Sequence, residues 1–256
     1  MKSAWIGFGA IALTGLLSAF GADARASDDG AFEIARPDAG RSPQNFEMEV
    51  RVALYNPQVD SDPTLHGTPY AAVFGSSQRY ELAMEFDWQA IRIPHLGTLG
   101  PGVSVGYTNA TGIAQRTDNG LPASQETTSL TIMPLYLVAV FRVDTFMRDL
   151  HVPFVPYAKA GLGEALWRAS NTAGTSVGPT GTLGEGHTFG TQLAAGLQFS
   201  LGVIDPHSAQ QLDESTGINN TYIFAEFMMS DLTGIGQSHA LYVGSNSLVF
   251  GLSFEF

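Results

Sequence analysis

The chain has 256 residues, no cysteine, 29 glycines, and 12 basic against 24 acidic residues. The absence of cysteine excludes disulfides, thiolate metal sites, a thiol nucleophile and an N-terminal lipidated cysteine. Charged residues are 14% of the chain, against about 25% in ordinary soluble domains.

Residues 1–26 read as a secretory signal peptide. Lys2 gives the positive start, Trp5–Phe20 the apolar run, and Ala24-Arg25-Ala26 a small-x-small cleavage site, with Ala22-Asp23-Ala24 as a second candidate. The apolar run is short for a membrane anchor, and no later stretch of about 20 apolar residues follows it. Cleavage after Ala26 leaves ten basic and twenty-three acidic residues, a net charge of −13. Such a chain does not seek nucleic acid, whose affinity comes from basic contacts to phosphate. Residues 27–45 form a periplasmic N-terminal segment in this reading.

From residue 46 onward, apolar residues recur at every second position, the signature of half-buried strands. In "EMEVRVALY", Met48, Val50, Val52 and Leu54 alternate with Glu47, Glu49 and Arg51. In "YELAMEFDWQ", Tyr80, Leu82, Met84, Phe86 and Trp88 alternate with Glu81, Ala83, Glu85, Asp87 and Gln89. "LGPGVSVGY" (99–107) sets Val103, Val105 and Tyr107 against Gly102, Ser104 and Gly106. Residues 127–143 are apolar on both faces, so their orientation stays open. Residues 153–167 alternate with Lys159, Gly161 and Gly163 on one side, and the phase fails near Glu164, where a bulge is expected. "FGTQLAAGLQFSL" (189–201) alternates, as does 220–230 with Glu226 on its polar face. Residues 240–256 close the count at eight. Their final stretch "LVFGLSFEF" sets Leu248, Phe250, Leu252, Phe254 and Phe256 against Val249, Gly251, Ser253 and Glu255.

The connections alternate in character. Residues 56–77, 109–126, 168–187 and 231–239 are Gly-, Ser-, Thr- and Asn-rich loops. Residues 90–97, 144–152 and 202–219 are the other set, and the last holds a short helix with Asp205 as N-cap, Pro206 in the first turn and Gly217 as stop. Long loops at one end and shorter turns at the other are the pattern of an outer-membrane barrel, and an even strand count puts both ends of the chain on the periplasmic side. The fold expected is therefore all-β: an eight-stranded, antiparallel, up-and-down transmembrane β-barrel over residues 46–256 with a short periplasmic helix. The apolar face meets lipid and the polar face lines the interior, because in lipid a sheet must close to pair every backbone group. A soluble lipocalin-like barrel would invert that pattern. Only Lys159 represents lysine after the signal, unlike a solvated sheet surface. Two aromatic belts are expected, with Tyr80, Tyr107, Trp167, Phe189 and Tyr242 on the loop side and Trp88, Phe141, Phe154, Phe199, Phe254 and Phe256 on the turn side.

At these residues a resemblance enters. Phe250, Leu252, Phe254 and Phe256 resemble the C-terminal recognition signal that the barrel-assembly machinery reads in bacterial outer-membrane proteins. "VPYAKAGLG" (155–163) resembles the Pro-Tyr…Gly-x-Gly strand of small OmpA-like and OmpW-like barrels. "FDWQ", "GTLGPGVSVGY" and "NTYIFAEF" resemble an outer-membrane barrel family common in myxobacteria that carries no established activity. The resemblance implies an outer-membrane location, lipid and the assembly machinery as partners, and no cofactor. OmpA proper carries a peptidoglycan-binding domain after its barrel. Here the chain ends on the barrel strand, so no cell-wall tether is carried over.

Chemistry is sparse. His66, His95, His151, His187, His207 and His239 show no metal-ligand spacing. Ser238-His239 invites comparison with hydrolytic barrels, but adjacent strand residues point to opposite faces and no orienting acid is identifiable. Asp60, Asp62, His66 and Asp118 supply protease-like residue types only as loop residues. Asp60-Ser-Asp62 lacks the further ligands of a calcium loop. No catalytic, cofactor or metal residue is assigned. The expected site is a polar lumen network of Glu47, Glu49, Arg51, Arg79, Glu81, Glu85, Asp87, Lys159 and Glu226. Its paired carboxylates fit a lumen held by ion pairs and hydrogen bonds better than glycosidase chemistry. The function expected is structural or surface-interacting with a side-chain-filled lumen. The alternative is a narrow pore or transporter for small solutes or apolar compounds. The oligomeric state is open.

Overall fold

A computed structural model describes residues 45–115, 122–178, 181–237 and 240–256. The expected signal peptide and the 27–44 part of the N-terminal segment lie outside the described residues. So do Asp118 and the Ser238-His239 pair.

Among the described residues ten strands form. They are β1 (Phe46–Tyr55), β2 (Arg79–Trp88), β3 (Ile91–Ile93), β4 (Gly97–Gln115), β5 (Pro122–Arg142), β6 (Phe154–Asn171), β7 (Gly174–Thr175), β8 (Glu185–Ser200), β9 (Asn220–Asp231) and β10 (Ser245–Glu255). Strands β3 and β7 are short returns that pair only with β4 and β6. The other eight follow the order β2-β1-β10-β9-β8-β6-β5-β4, and β4 pairs back onto β2, which closes the sheet. Every pairing is antiparallel. Backbone bonds between Phe46 and Phe256 (2.8 and 3.1 Å) add a last rung to the β1–β10 seam. The result is a closed eight-stranded antiparallel barrel.

The alternation in the sequence sets the faces. Outward residues of β2 are exposed, with Tyr80 at 73% and Leu82 at 62%, while Glu81, Glu85 and Asp87 between them are buried. The same apolar exterior continues through Val105 on β4, Leu162 on β6, Leu193 on β8, Phe227 on β9 and Phe250 on β10. A continuous apolar exterior of this extent on a monomer requires an apolar surrounding, and closure leaves no strand edge to desolvate. No helix among the described residues is long and apolar enough to cross a membrane; the strands do it.

One orientation left open by the sequence is fixed, and two expectations are corrected. First, β5 has a definite orientation: Leu130, Ile132, Tyr136, Val138, Val140 and Arg142 point inward. Second, β6 runs in unbroken register with both neighbours from Tyr157 to Arg168, with no bulge at Glu164. Ala165 and Trp167 keep the inward parity, Trp167 packs on the interior cluster, and its indole donates to Thr188 Oγ1 at 3.2 Å. Trp167 is therefore no belt residue. Third, the segment at 109–126 read as a loop is largely strand, and strands extend into both ends of 168–187. Pairing of β4 with β5 extends through Gln115↔Pro122, with one register shift between Ile113 and Gln115. Ser and Thr staple these extensions, as in the Ser129–Ser170 hydroxyl contact (2.8 Å), and Arg168 pairs with Glu185 across β6 and β8 (2.9 Å). Conversely, Ala240–Gly244, expected as strand, precede β10 without strand structure.

Among the described residues three α-helices sit in the connections: α1 (Pro69–Phe74), α2 (Thr145–Arg148) and α3 (Pro206–Thr216). Helix α3 is capped as its sequence implies. Asp205 accepts from Ser208 N (3.1 Å) and Ser208 Oγ (2.7 Å), and Gly217 takes the left-handed conformation at φ 76°. Those hydrogen bonds hold the Asp205 carboxyl below its ordinary pKa. A lowered folded-state pKa means that the cap acts above the unfolded value of about 3.9 and is lost as pH falls through the folded value. The protection of the amides in residues 206–216, taken relative to their intrinsic exchange rates at each pH, should therefore fall on acidification below the ordinary carboxylate range. Asp205→Asn should keep the cap and abolish that pH response, and equal acid sensitivity in both proteins would contradict this assignment.

Candidate functional site: the charged interior

The interior is layered. At the outer end, Tyr55, Val59, Tyr70, Ala110, Leu130, Ile132, Ala165, Leu232 and Val243 form one apolar cluster with Tyr136, Val138 and Val140. Helix α1 belongs to this layer: Tyr70 is buried and Phe74 packs beside it at 5.1 Å between ring centroids. Its N-terminus is held by Asp60, which accepts from Tyr70 N (2.7 Å) and Ala71 N (2.9 Å), as an N-cap carboxylate would. Asp62 accepts from the backbone and hydroxyl of Thr64. Both loop aspartates are thus engaged in local backbone structure. The segment after β1 is pinned to the stretch that leads into the adjacent strand β10, where Tyr55 donates to the Val243 carbonyl and Gln58 N to the Gly244 carbonyl.

Below this lies a charged layer. Arg51 on β1 donates to Glu85 on β2 and Glu226 on β9, and its Nε lies 3.6 Å from Glu49. Lys159 on β6 donates to Glu49 (2.8 Å) and to Glu85, and lies 3.5 Å from Glu226. Each cation also faces a ring: Arg51 is 6.0 Å from Phe224, and Lys159 is 5.0 Å from Tyr157. Such stacking is favourable, more so when desolvated.

The end of the barrel that carries Phe46 and Phe256 holds a third layer, around Arg142 on β5. Its Nη1 donates to Glu255 (3.0 Å) and its Nη2 to Gln198 (2.8 Å), with the Tyr222 ring 5.4 Å away. Gln198 donates to Glu47 (2.5 Å), and Glu255 also accepts from Gln89 (2.9 Å), Asn220 (2.8 Å) and Tyr222 (2.9 Å).

Glycines make room for these groups. A Cβ on Gly196 would meet the Tyr157 ring at 2.4 Å, on Gly163 the Tyr136 ring at 2.6 Å, and on Gly102 the Asp87 carboxylate at 2.0 Å. At Gly100, Gly161 and Gly190 the space is taken by neighbouring backbone rather than by a side chain, with carbonyls at 1.7 to 2.1 Å.

Of the residues expected in the network, Glu47, Glu49, Arg51, Glu81, Glu85, Asp87, Lys159 and Glu226 are buried inside the barrel. Arg79 is not with them. Its guanidinium turns up to the Phe74 and Ser77 carbonyls and stacks 5.7 Å from Tyr70, because α1 places acceptors above the barrel mouth. Sequence reasoning missed Arg142, Tyr157, Tyr222 and the part played by Glu255. Glu255 carried a signal, since it alternates with the apolar residues of the closing strand. Arg142 did not, because it ends the strand whose two faces look alike. On the exterior, His187 lies 3.4 Å from Glu164 and His95 lies 3.7 Å from Asp149. None of the described histidines joins a group able to ligate a metal, and among the described residues the one such group comprises Glu47, Glu49 and Asp87.

A closed eight-stranded antiparallel barrel with an apolar exterior and a charged interior is the architecture of the small outer-membrane β-barrels. Solved structures similar to this chain include the outer membrane protein OprG from Pseudomonas aeruginosa, at 10% identity over 85% of this chain and 98% of that one, TM-score 0.46. Outer Membrane Protein W of E. coli is similar at 15% identity over 85% and 100%, TM-score 0.41. The attachment invasion locus protein Ail of Yersinia pestis is similar at 12% over 84% and 99%, TM-score 0.40. No family model matches the chain, and no curated protein matches its sequence.

Proposed function

We propose that this protein is a non-catalytic barrel of the outer membrane whose interior is closed by its own side chains and whose role is structural or interactive, exercised through the outer hairpins. The observation that carries this reading is the stacking of an apolar layer under α1 on two layers of buried ion pairs. Eight strands enclose an interior about wide enough for side chains to fill, and the long residues here are inside. Delivery follows removal of residues 1–26. The assembly machinery reads β10, with Phe250, Leu252, Phe254 and Phe256 as the recognition face, and membrane lipid then covers the exterior. Catalysis is disfavoured because Asp60 and Asp62 already serve as backbone acceptors.

Purified protein in planar bilayers is expected to give no steady conductance. Stable cation-selective steps that change with Glu85→Gln would overturn the closed interior and favour a narrow pore.

A further inference from the structure

The interior charges do not balance. Among the described residues, seven buried carboxylates share the barrel with three buried cations, Arg51, Arg142 and Lys159. An ionised carboxylate in a low-dielectric interior is costly unless paired, so the excess must be met by protons or by bound cations. The imbalance is uneven: Glu81 and Glu226 each leave Oε2 without a hydrogen-bond partner, but the largest concentration of unmatched oxygens lies at three other groups. Glu85 takes both Arg51 and Lys159, and Glu255 takes Arg142 and three further donors. Asp87, 2% exposed, has no hydrogen-bond partner on either oxygen. Glu49 receives Lys159 on Oε2 but nothing on Oε1. Glu47 receives Gln198 on Oε1, while Arg142 Nη1 lies 2.8 Å from its Oε2 outside hydrogen-bond alignment.

These three carboxylates converge. One oxygen from each lies within 4.8 Å of the others. Oxygens that share a calcium ion at about 2.3–2.6 Å stand at most twice that distance apart, so the three are within reach of one centre. Asp87 is free to adopt this position because its cross-strand neighbour is Gly102, where a side chain would collide with the carboxylate.

We propose that Glu47, Glu49 and Asp87 together bind one hard divalent cation, of the calcium or magnesium class, in the periplasmic half of the barrel. The donors are oxygen only, which suits a hard ion over zinc or copper. A single divalent charge halves the excess of negative charge in the interior. Glu47 and Asp87 face each other one rung above Phe46 and Trp88 at the periplasmic rim, so the ion enters from that side or during folding.

The full chain, unfolded in the presence of EDTA, is refolded into phosphatidylcholine vesicles with and without millimolar calcium chloride or magnesium chloride. Bound metal is then measured after gel filtration, together with the unfolding temperature. The expected result is a single retained ion per chain and a higher unfolding temperature, both lost in Asp87→Asn and reduced in Gly102→Ala, which pushes a methyl group into the space of the carboxylate. Absence of retained metal in the wild type would show that protons neutralise the excess and would overturn the proposal. So would equal retention by the wild type, Asp87→Asn and Glu49→Gln. Should Asp87→Asn fail to fold, the wild-type metal content and Gly102→Ala decide. Conductance is not involved, so this outcome is independent of whether the interior is closed.

Discussion

Arg51→Met is expected to destabilise the inserted barrel by about 3–5 kcal/mol, the range for removing one partner from a buried ion pair. Arg51 is the donor that Glu85 and Glu226 share, and Glu49 lies beside it. Methionine fills much of the same volume, so the loss comes from stranded charge rather than from a cavity. Lys159 remains, but it already serves Glu49 and Glu85. The loss should largely disappear if the partners leave as well. Replacing Arg51, Glu85 and Glu226 together with apolar residues of similar volume should be close to neutral, because the desolvation cost of all three groups disappears with their attraction. Reversible urea unfolding in lipid vesicles measures both. A loss below about 1 kcal/mol for Arg51→Met would mean that water reaches the charged layer and that the group behaves as a surface ion pair does.

The sequence and the structure agree where the interior is polar. On β1, β2 and β10 the contrast between inward Glu, Arg or Ser and outward Leu, Phe or Met gives the face directly, whereas on β9 only Glu226 and Ser230 mark the inward face beside Tyr222, Phe224 and Met228; the strand bounds fall within a residue or two of the expectation for β1, β2 and β9. The contrast disappears where the interior is apolar. Leu130, Ile132, Val138 and Val140 on β5 face inward yet look like lipid-facing residues, so that strand shows two apolar faces. The same layer produces the false phase break on β6. Ala165 and Trp167 fill the apolar cluster from inside, while Glu164 stands outside beside His187. A period-2 pattern reports a difference between faces, and it is silent when both are apolar. Strand length was hidden for another reason. Thr, Ser and Asn in the extensions of β4, β5 and β6 read as loop composition, but antiparallel partners satisfy their backbone and hydroxyls pair across strands, as at Asn109–Thr131 (2.8 Å). Arg79 shows a third limit. Its position has the inward parity of Glu81, but a helix packed over the mouth drew its long side chain upward. Only contacts between segments remote in sequence decide such a case.

Placing arginine at Val105 tests the exterior and is expected to cost about 2–4 kcal/mol, the value for a cation at the centre of the lipid-facing wall. Val105 is 43% exposed on β4 and pairs with Met84, which stands midway between Tyr80 and Trp88 at the two ends of β2. No inward route is open to the side chain, because its strand neighbours Ser104 and Gly106 already occupy the interior face, with Gly106 directly against Glu81. The guanidinium must therefore snorkel along the wall or thin the bilayer locally, and neither removes the cost. Depth should grade the effect. Tyr80→Arg, at the outer rim, should cost about 0–1 kcal/mol because the cation reaches the headgroups. Both variants should be nearly equal in detergent micelles, which deform around the charge. Equilibrium unfolding in bilayers of defined thickness reads the difference, and equal costs at Val105 and Tyr80 in lipid would place the membrane elsewhere on the barrel.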